Sequence, residues 1–309
     1  MKDSVDDPAT AAASRAAEWG TLGRRWADTV RYLRRNPSLG VGLVLIVLLG
    51  AVALGGRLFI DPNIARPLAA PPSRPPSWAY PFGTDMQGRN LLGVLIVGTY
   101  LTLKVGLIAG FLGIAIGAVL GFVAAFYGGW VDMAINLVVD VLLTVPALLF
   151  LVVIAANVTR SMTTDQMALI VALLAWRQPA RQIRSQVLVM RELGYVQTAR
   201  LSGTSSLGII FRELMPNLIP YLMASFVLAT STAILASVGL EALGLGPQDE
   251  PTLGMTVFWV MYNSAFMLGM WWWVLTPVVA LVVLFIGLYL TSTGLDELAN
   301  PRLRRKGAA

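Results

Sequence analysis

Apolar residues along this chain gather into long runs, separated by segments rich in proline or arginine. The first run, Ser38 to Ile60, is almost uninterrupted. Since about 20 apolar residues cross a bilayer, it predicts a spanning helix. It is not a signal peptide, whose apolar core is shorter and starts nearer the N-terminus. Further runs at 91–126, 131–158, 166–176, 218–240 and 271–293 bring the expected crossings to six. The fourth is short, and Arg177 interrupts it. The second exceeds one crossing, so its first part is expected at the interface or deeper in an assembly. The pattern predicts an all-α membrane protein with about six transmembrane helices.

The polar segments between these runs divide the chain. An N-terminal segment covers 1–37, the first transmembrane helix 38–60, a Pro-rich loop 61–90, a membrane core 91–294 and a C-terminal tail 295–309. The Pro-rich loop holds seven of the 17 prolines. Proline fixes φ and removes an amide donor, which places this loop outside the hydrocarbon in an ordered or extended form. Within the core lies a polar loop at about 183–217 containing "YVQTARLSGTSSLGIIFRELMPN", Tyr195 to Asn217. Its residues predict a helix ended at Gly203, a turn over Ser202 to Ser206 with Ser205 or Ser206 as the next cap, and a second helix stopped by Pro216. This would be a small knob held out from the membrane, or an amphipathic connector lying on the leaflet.

Composition agrees with the pattern: 56% of the 309 residues are hydrophobic and 13% charged, with mean hydropathy +0.70. The chain has no cysteine and no histidine, which excludes disulfides, thiolate or His-based catalysis and Cys- or His-ligated metal. The net charge of +6 matters less than where the charges fall. With the N-terminus inside, the cytoplasmic segments hold Lys2, Arg15, Arg24, Arg25, Arg31, Arg34 and Arg35, then Arg177, Arg181, Arg184, Arg191, Arg200 and Arg212, then Arg302, Arg304, Arg305 and Lys306. Outside remain Arg57, Arg66, Arg74, Arg89 and Arg160, with Lys104 in a span. The positive-inside rule therefore predicts both termini and the Tyr195 loop in the cytoplasm.

Inside the spans two features stand out. Gly106, Gly110, Gly113, Gly117 and Gly121 share one helical face and allow close backbone approach, for packing within the chain, for a subunit contact or along a pathway. Asp140 sits in the third span, where a carboxylate requires a partner or a polar cavity; a structural hydrogen bond and a pathway or gating role both fit. Asp132, nearer the cytoplasmic end, is an interfacial charge. Trp259, Tyr262, Phe266, Trp271, Trp272 and Trp273 form either an outer aromatic belt or a surface for stacking on sugar rings.

The Tyr195 stretch resembles the cytoplasmic "EAA" loop of bacterial ABC-importer permeases: Glu-Ala-Ala, three residues, Gly, nine residues, Ile, one residue, Leu-Pro. Here the positions read Gln197, Thr198, Ala199, then Gly203, then Glu213, Met215 and Pro216, with the spacing intact. "YPFGTDMQGRN", Tyr80 to Asn90, is similar to the His-Pro-x-Gly-Thr-Asp-x-x-Gly-Arg-Asp signature of the peptide and nickel subfamily. "YGGWVDMAINLVVDVLLTVPALL", "LGLGPQDEPTLG" and "DELANPRLR" also resemble that subfamily, specifically its second permease subunit in dipeptide and oligopeptide importers. The resemblance covers roughly Arg34 to Arg305.

The resemblance implies a type I importer permease fold in a bacterial inner membrane, and a subunit that conducts solute without catalysis. The implied partners are a second permease subunit, two cytoplasmic ATP-binding subunits and an extracytoplasmic solute-binding protein, with no nucleic acid. No Gly-Lys-Ser/Thr phosphate loop occurs here, so ATP and Mg are expected on the partner ATPases and no cofactor on this chain. Tyr195, Gln197, Thr198, Ala199 and Gly203 are the expected ATPase-docking residues. Asp85 and Arg89 are candidates for contact with the binding protein or partner permease, or for a structural loop role; Glu241, Asp249 and Glu250 form a second such stretch. Peptide is the expected solute, with oligosaccharide or a nickel complex as alternatives. A secondary transporter driven by an ion gradient, which would need inverted repeats or broken helices, is the competing class; an intramembrane enzyme is a more distant third.

Overall fold

A computed structural model describes residue 33, residues 36–158 and residues 162–299. The expectations for the N-terminal arginines, Arg160 and the tail beyond 299 lie outside the described residues. Ten helices account for most of the described chain: α1 (Pro37–Phe59), α2 (Leu91–Tyr127), α3 (Gly129–Thr144), α4 (Ala147–Ala156), α5 (Thr164–Ala175), α6 (Arg177–Met190), α7 (Gly194–Leu201), α8 (Ser206–Ala242), α9 (Leu253–Tyr262) and α10 (Trp271–Ala299). Among the described residues no strand occurs, only an isolated bridge between Thr84 and Asn90.

Four of these helices, α1, α2, α8 and α10, are long and apolar enough to cross a membrane. A bent pair, with the geometry of a broken span or a re-entrant loop, is the fifth candidate: α3 and α4 pass the same test together but meet at 81°. The bend falls at Val145 and Pro146, where Val145 is extended (φ −81°, ψ 128°), as the residue before a proline tends to be, and Pro146 has no amide to continue the ladder. The expected fourth crossing is the 12-residue α5, too short to span by itself. Its start is fixed by a capping box between Thr163 and Gln166. The charged α6 continues from it after one turn residue at Trp176.

The glycines of α2 explain how these helices pack. A methyl group on Gly110 would lie 2.9 Å from backbone atoms of Thr230 in α8. One on Gly113 would meet Ala175 of α5 at 2.8 Å, and those on Gly117 and Gly121 would meet Pro179 and the Ala180 carbonyl of α6 at 2.7 and 2.8 Å. Gly106 faces Ile234 and Thr230 of α8. The structure thus places all five glycines against other helices of the same chain, α8 along one half of α2 and the α5–α6 pair along the other. Outward of this core, α1 presents Val44, Val47 and Leu54, each at least 60% exposed, as a lipid-compatible face.

The two ends of the bundle differ. At the Pro-rich end, Ala65, Leu91, Val94, Ala265 and Trp273 form one cluster; Trp273, placed in sequence with the aromatic belt, is fully buried there. At the other end Phe122, Ala125, Ile183, Val187, Val196, Ile209 and Leu214 seat α7 and the start of α8 on the end of α2.

Candidate functional site: an exposed helix on a braced platform

The helix α7 is anchored chiefly by Val196, which is fully buried among Phe122, Ile183, Val187 and Ile209, with Ala199 packed beside it. Most of its remaining surface is open. Tyr195, Gln197, Thr198, Ser202 and Gly203 are exposed, and Leu201 is 90% exposed. Ala199 is half-buried. Burial pushes the Tyr195 phenol up, and a hydrogen bond with Asn217 pulls it down, tying α7 to the base of α8. Leu207 and Phe211, both over 60% exposed, continue the apolar surface beyond the turn.

Gly203 ends α7 as its sequence predicts. Its φ is +76°, and the Gly203 amide donates to the Arg200 carbonyl while the Thr204 amide donates to the Ala199 carbonyl, both at 3.1 Å. This pair of bonds is a Schellman turn, which needs a left-handed residue at the Gly203 position. Ser205 then caps the next helix by accepting from the Gly208 amide at 3.2 Å. The expected stop at Pro216 does not occur: α8 runs on to Ala242. A π-helical turn at Ile209–Leu214 immediately precedes Pro216 and widens the helix where the missing proline amide would otherwise leave a gap.

Behind this helix, α3 is strapped to α6. The Arg184 guanidinium grips Asp132 with two bonds of 2.5 Å, and Asn136 donates to the same carboxylate at 2.6 Å. Arg181 pairs with Asp140. Arg177 donates to the Leu142 carbonyl, and its Nε to the Leu174 carbonyl at 2.8 Å. The three arginines follow one another at intervals of one turn along α6, so they form a ladder down a single face. Asp140 is therefore partnered, but its side chain is 55% exposed and lines none of the cavities described here. The arginines counted in sequence as loop charges include these structural straps.

A cavity of about 280 Å³ opens between α4, α5, α6 and α8. Gln178, Gln182, Ser225 and Thr232, beside Arg177, place polar groups in its mostly apolar wall. Sequence did not single out these four, because each is an ordinary polar residue until the bend at Pro146 and the α5–α6 junction bring their helices around one space.

At the Pro-rich end, Asp85 and Arg89 are buried, 2% and 4% exposed, and paired at 3.2 Å. The Asp85 carboxylate also accepts from the amides of Arg89 at 2.8 Å and Gln87 at 2.9 Å. Burial pushes the Asp85 carboxyl up, against the lowering influence of the Arg89 amide and guanidinium. Their geometry is that of a brace within the loop, with little surface for another protein. Thr84 extends the brace, donating to the Pro71 carbonyl and accepting from the Trp272 indole through its own carbonyl. Glu241, placed by sequence in an outer stretch for partner contact or a structural role, is fully buried in the last turn of α8. It accepts from Thr252 at 2.6 Å, the Met255 amide at 3.1 Å and Ser237 at 3.3 Å, clasping α9 to α8. Glu250 accepts from Thr164, linking the same loop to α5.

Comparison with known proteins agrees with this architecture. Residues 113–305 match the model of the binding-protein-dependent transport system inner membrane component family. A Brucella abortus protein named as a peptide transport system permease is 33% identical over 284 residues, 90% of this chain and 93% of that protein. The dipeptide transport system permease protein DppC of Alkalihalophilus pseudofirmus is 29% identical, with 90% of each chain covered. The oligopeptide transport system permease protein OppC of Bacillus subtilis is 26% identical, covering 91% and 90%. With four long apolar helices, a bent fifth candidate and a family match across most of the core, this multi-pass membrane chain belongs to the binding-protein-dependent transport system inner membrane components.

Proposed function

We propose that the chain is the non-catalytic permease half of an ATP-driven peptide importer, and that α7 is the element on which a cytoplasmic ATPase acts. The observation that carries this is a helix with one buried anchor, Val196, and a mostly exposed surface, terminated by a glycine turn at the interval the docking loop requires. The names of relatives covering about nine-tenths of the chain favour peptide over oligosaccharide or nickel. A broken crossing is one of the features a secondary transporter would need, but none of the relatives cited here is named as one.

Force applied to α7 has a direct route inward. Val196 packs on Ile183 and Val187 of α6 and on Ile209 of α8, so displacement of α7 moves both helices. The arginine ladder couples α6 to α3, and α8 lines the small cavity together with α6. That cavity is the proposed element of the translocation path, opened and closed by the two-state packing of helices around it. The partners are a second permease subunit, two ATP-binding subunits that carry ATP and Mg, and an extracytoplasmic binding protein. The exposed surface of the Pro-rich loop is offered to that protein, with Asp85 and Arg89 holding its shape. Both termini and α7 lie in the cytoplasm, on the charge count.

The test is reconstitution of the complete importer in proteoliposomes with its binding protein. Uptake of a dipeptide should require ATP, and Val196→Asp should abolish uptake while leaving the permease in the membrane. Uptake by this chain alone, driven by an ion gradient, would overturn the proposal.

A further inference from the structure

A second, larger cavity is separate from the one between α4, α5, α6 and α8. It measures about 670 Å³ and lies at the Pro-rich end, between the end of α1, α2, the start of α5 and the loop before α9. Its volume is in the range of small-molecule sites. Its wall carries both signs of charge, and their pairing is incomplete.

On one side, Arg57 lies over the Tyr100 ring, its guanidinium carbon 3.9 Å from the ring centroid. Among the described residues neither Arg57 nor Arg66, which also lines the space, has an acid within ion-pair range. The Nε of Arg57 and the indole Nε1 of Trp259 are buried with no acceptor. These two atoms have no surface open to the cavity, so what Arg57 and Arg66 offer a ligand there is unpaired positive charge. On the other side, Lys104 pairs with Asp165 at 2.6 Å, and Glu250 accepts from Thr164. Asp165 retains 64% side-chain exposure, so its carboxylate has capacity for another donor.

Tyr100 and Lys104 are one turn apart on α2, which separates the donor-rich and acid-rich ends by roughly 6 Å along the helix. Two extended residues span about 7 Å at most. We propose that this cavity is a receiving site for short zwitterionic peptides: Arg57, with Arg66, takes the terminal carboxylate, and Asp165 and Glu250 take the terminal ammonium. Arginine suits the first task because its planar fork matches a carboxylate. A wall of cations alone would instead fit a phosphate; the acids at the far end favour the zwitterion. This rests on the peptide-importer reading and adds to it a selection for free termini by the permease itself.

The test is saturation-transfer NMR on the assembled importer in nanodiscs, without binding protein, using alanylalanine, its C-terminal amide and its N-acetyl derivative. The free dipeptide should bind, and amidation or Arg57→Gln should each weaken it at least tenfold. The two together should be no worse than either, because both remove one contact. N-acetylation and Asp165→Asn should show the same non-additivity, and Arg57→Lys should recover part of the affinity. Equal binding of the amide, or additive losses, would overturn the assignment. So would displacement by inorganic phosphate or anionic phospholipid vesicles with no effect of N-acetylation, which would make this an anion or headgroup site. ATP-dependent dipeptide uptake by the unaltered importer is read in parallel: if it persists while these contacts fail, only the receiving site is lost.

Discussion

Gly203→Ala isolates the contribution of the turn that ends α7. An added methyl group would have no heavy atom within 4 Å, so sterics against neighbours do not enter. What remains is the backbone: φ is +76°, and the left-handed region costs an L-residue about 1–2 kcal/mol. That shifts the ratio of capped to frayed helix end about five- to thirtyfold. The readout is hydrogen exchange on the assembled importer, where the amides of Gly203 and Thr204, which donate to Arg200 and Ala199, should exchange faster by that factor. Peptide transported per ATP hydrolysed should fall in step, because a frayed end transmits less motion. Gly203→Pro should be more severe, since it forces φ to about −65° and deletes the amide that donates to Arg200. Gly194→Ala is the matched control: it too has open space, and its φ is not positive. If Gly203→Ala and Gly194→Ala leave exchange and coupling equally unchanged, the turn is not what shapes this surface.

Three further outcomes follow from the packing. Arg184→Gln should destabilise the strap between α3 and α6 by about 1 kcal/mol, given its partial exposure, and the exchanged pair Asp132→Arg with Arg184→Asp should recover part of the loss, read as thermal stability of the purified permease pair. Gly110→Val would drive side-chain atoms against the Thr230 backbone, which cannot rotate away as a side chain would, and should cost about 1–3 kcal/mol, seen as reduced folded yield. Glu241→Ala would leave Thr252 and the Met255 amide without their acceptor and should cost about 1–3 kcal/mol, while Glu241→Gln, which retains an acceptor oxygen, should lose less in the same melt.

The crossings were legible in sequence because a bilayer demands long apolar runs, and Ser38 to Ile60 meets α1 within one or two residues. The turn at Gly203 was legible for a similar reason: few residues tolerate that φ, so the glycine marks it. Local signals failed where a neighbouring element overrode them. Pro216 carries a stop signal, yet the π turn ahead of it absorbs the missing amide and the helix continues. Pro146 carries a comparable signal, and there the chain bends by 81°. Nothing within either proline's neighbours in sequence separates the two outcomes. Charges were hardest to place. Asp140 and Arg181 are 41 residues apart, and Glu241 meets Thr252 only because α9 folds back on α8. A hydropathy profile registers a carboxylate but not its partner. The same limit hid the cavity at the Pro-rich end, whose lining comes from several separate stretches of chain.

The measurement that bears most directly on the account is cross-linking from α7 to the ATPase. The chain has no cysteine, so a single one at Leu201, 90% exposed at the end of α7, reports without background from this chain. Leu201→Cys in the assembled importer should cross-link to an ATP-binding subunit through a short bifunctional reagent, with a yield that changes when ATP is added. Trp78→Cys, in the Pro-rich loop at the other end, should give none. Failure of Leu201→Cys to cross-link in a complex that still transports peptide, or cross-linking from Trp78→Cys instead, would contradict the assignment of α7 as the site of coupling.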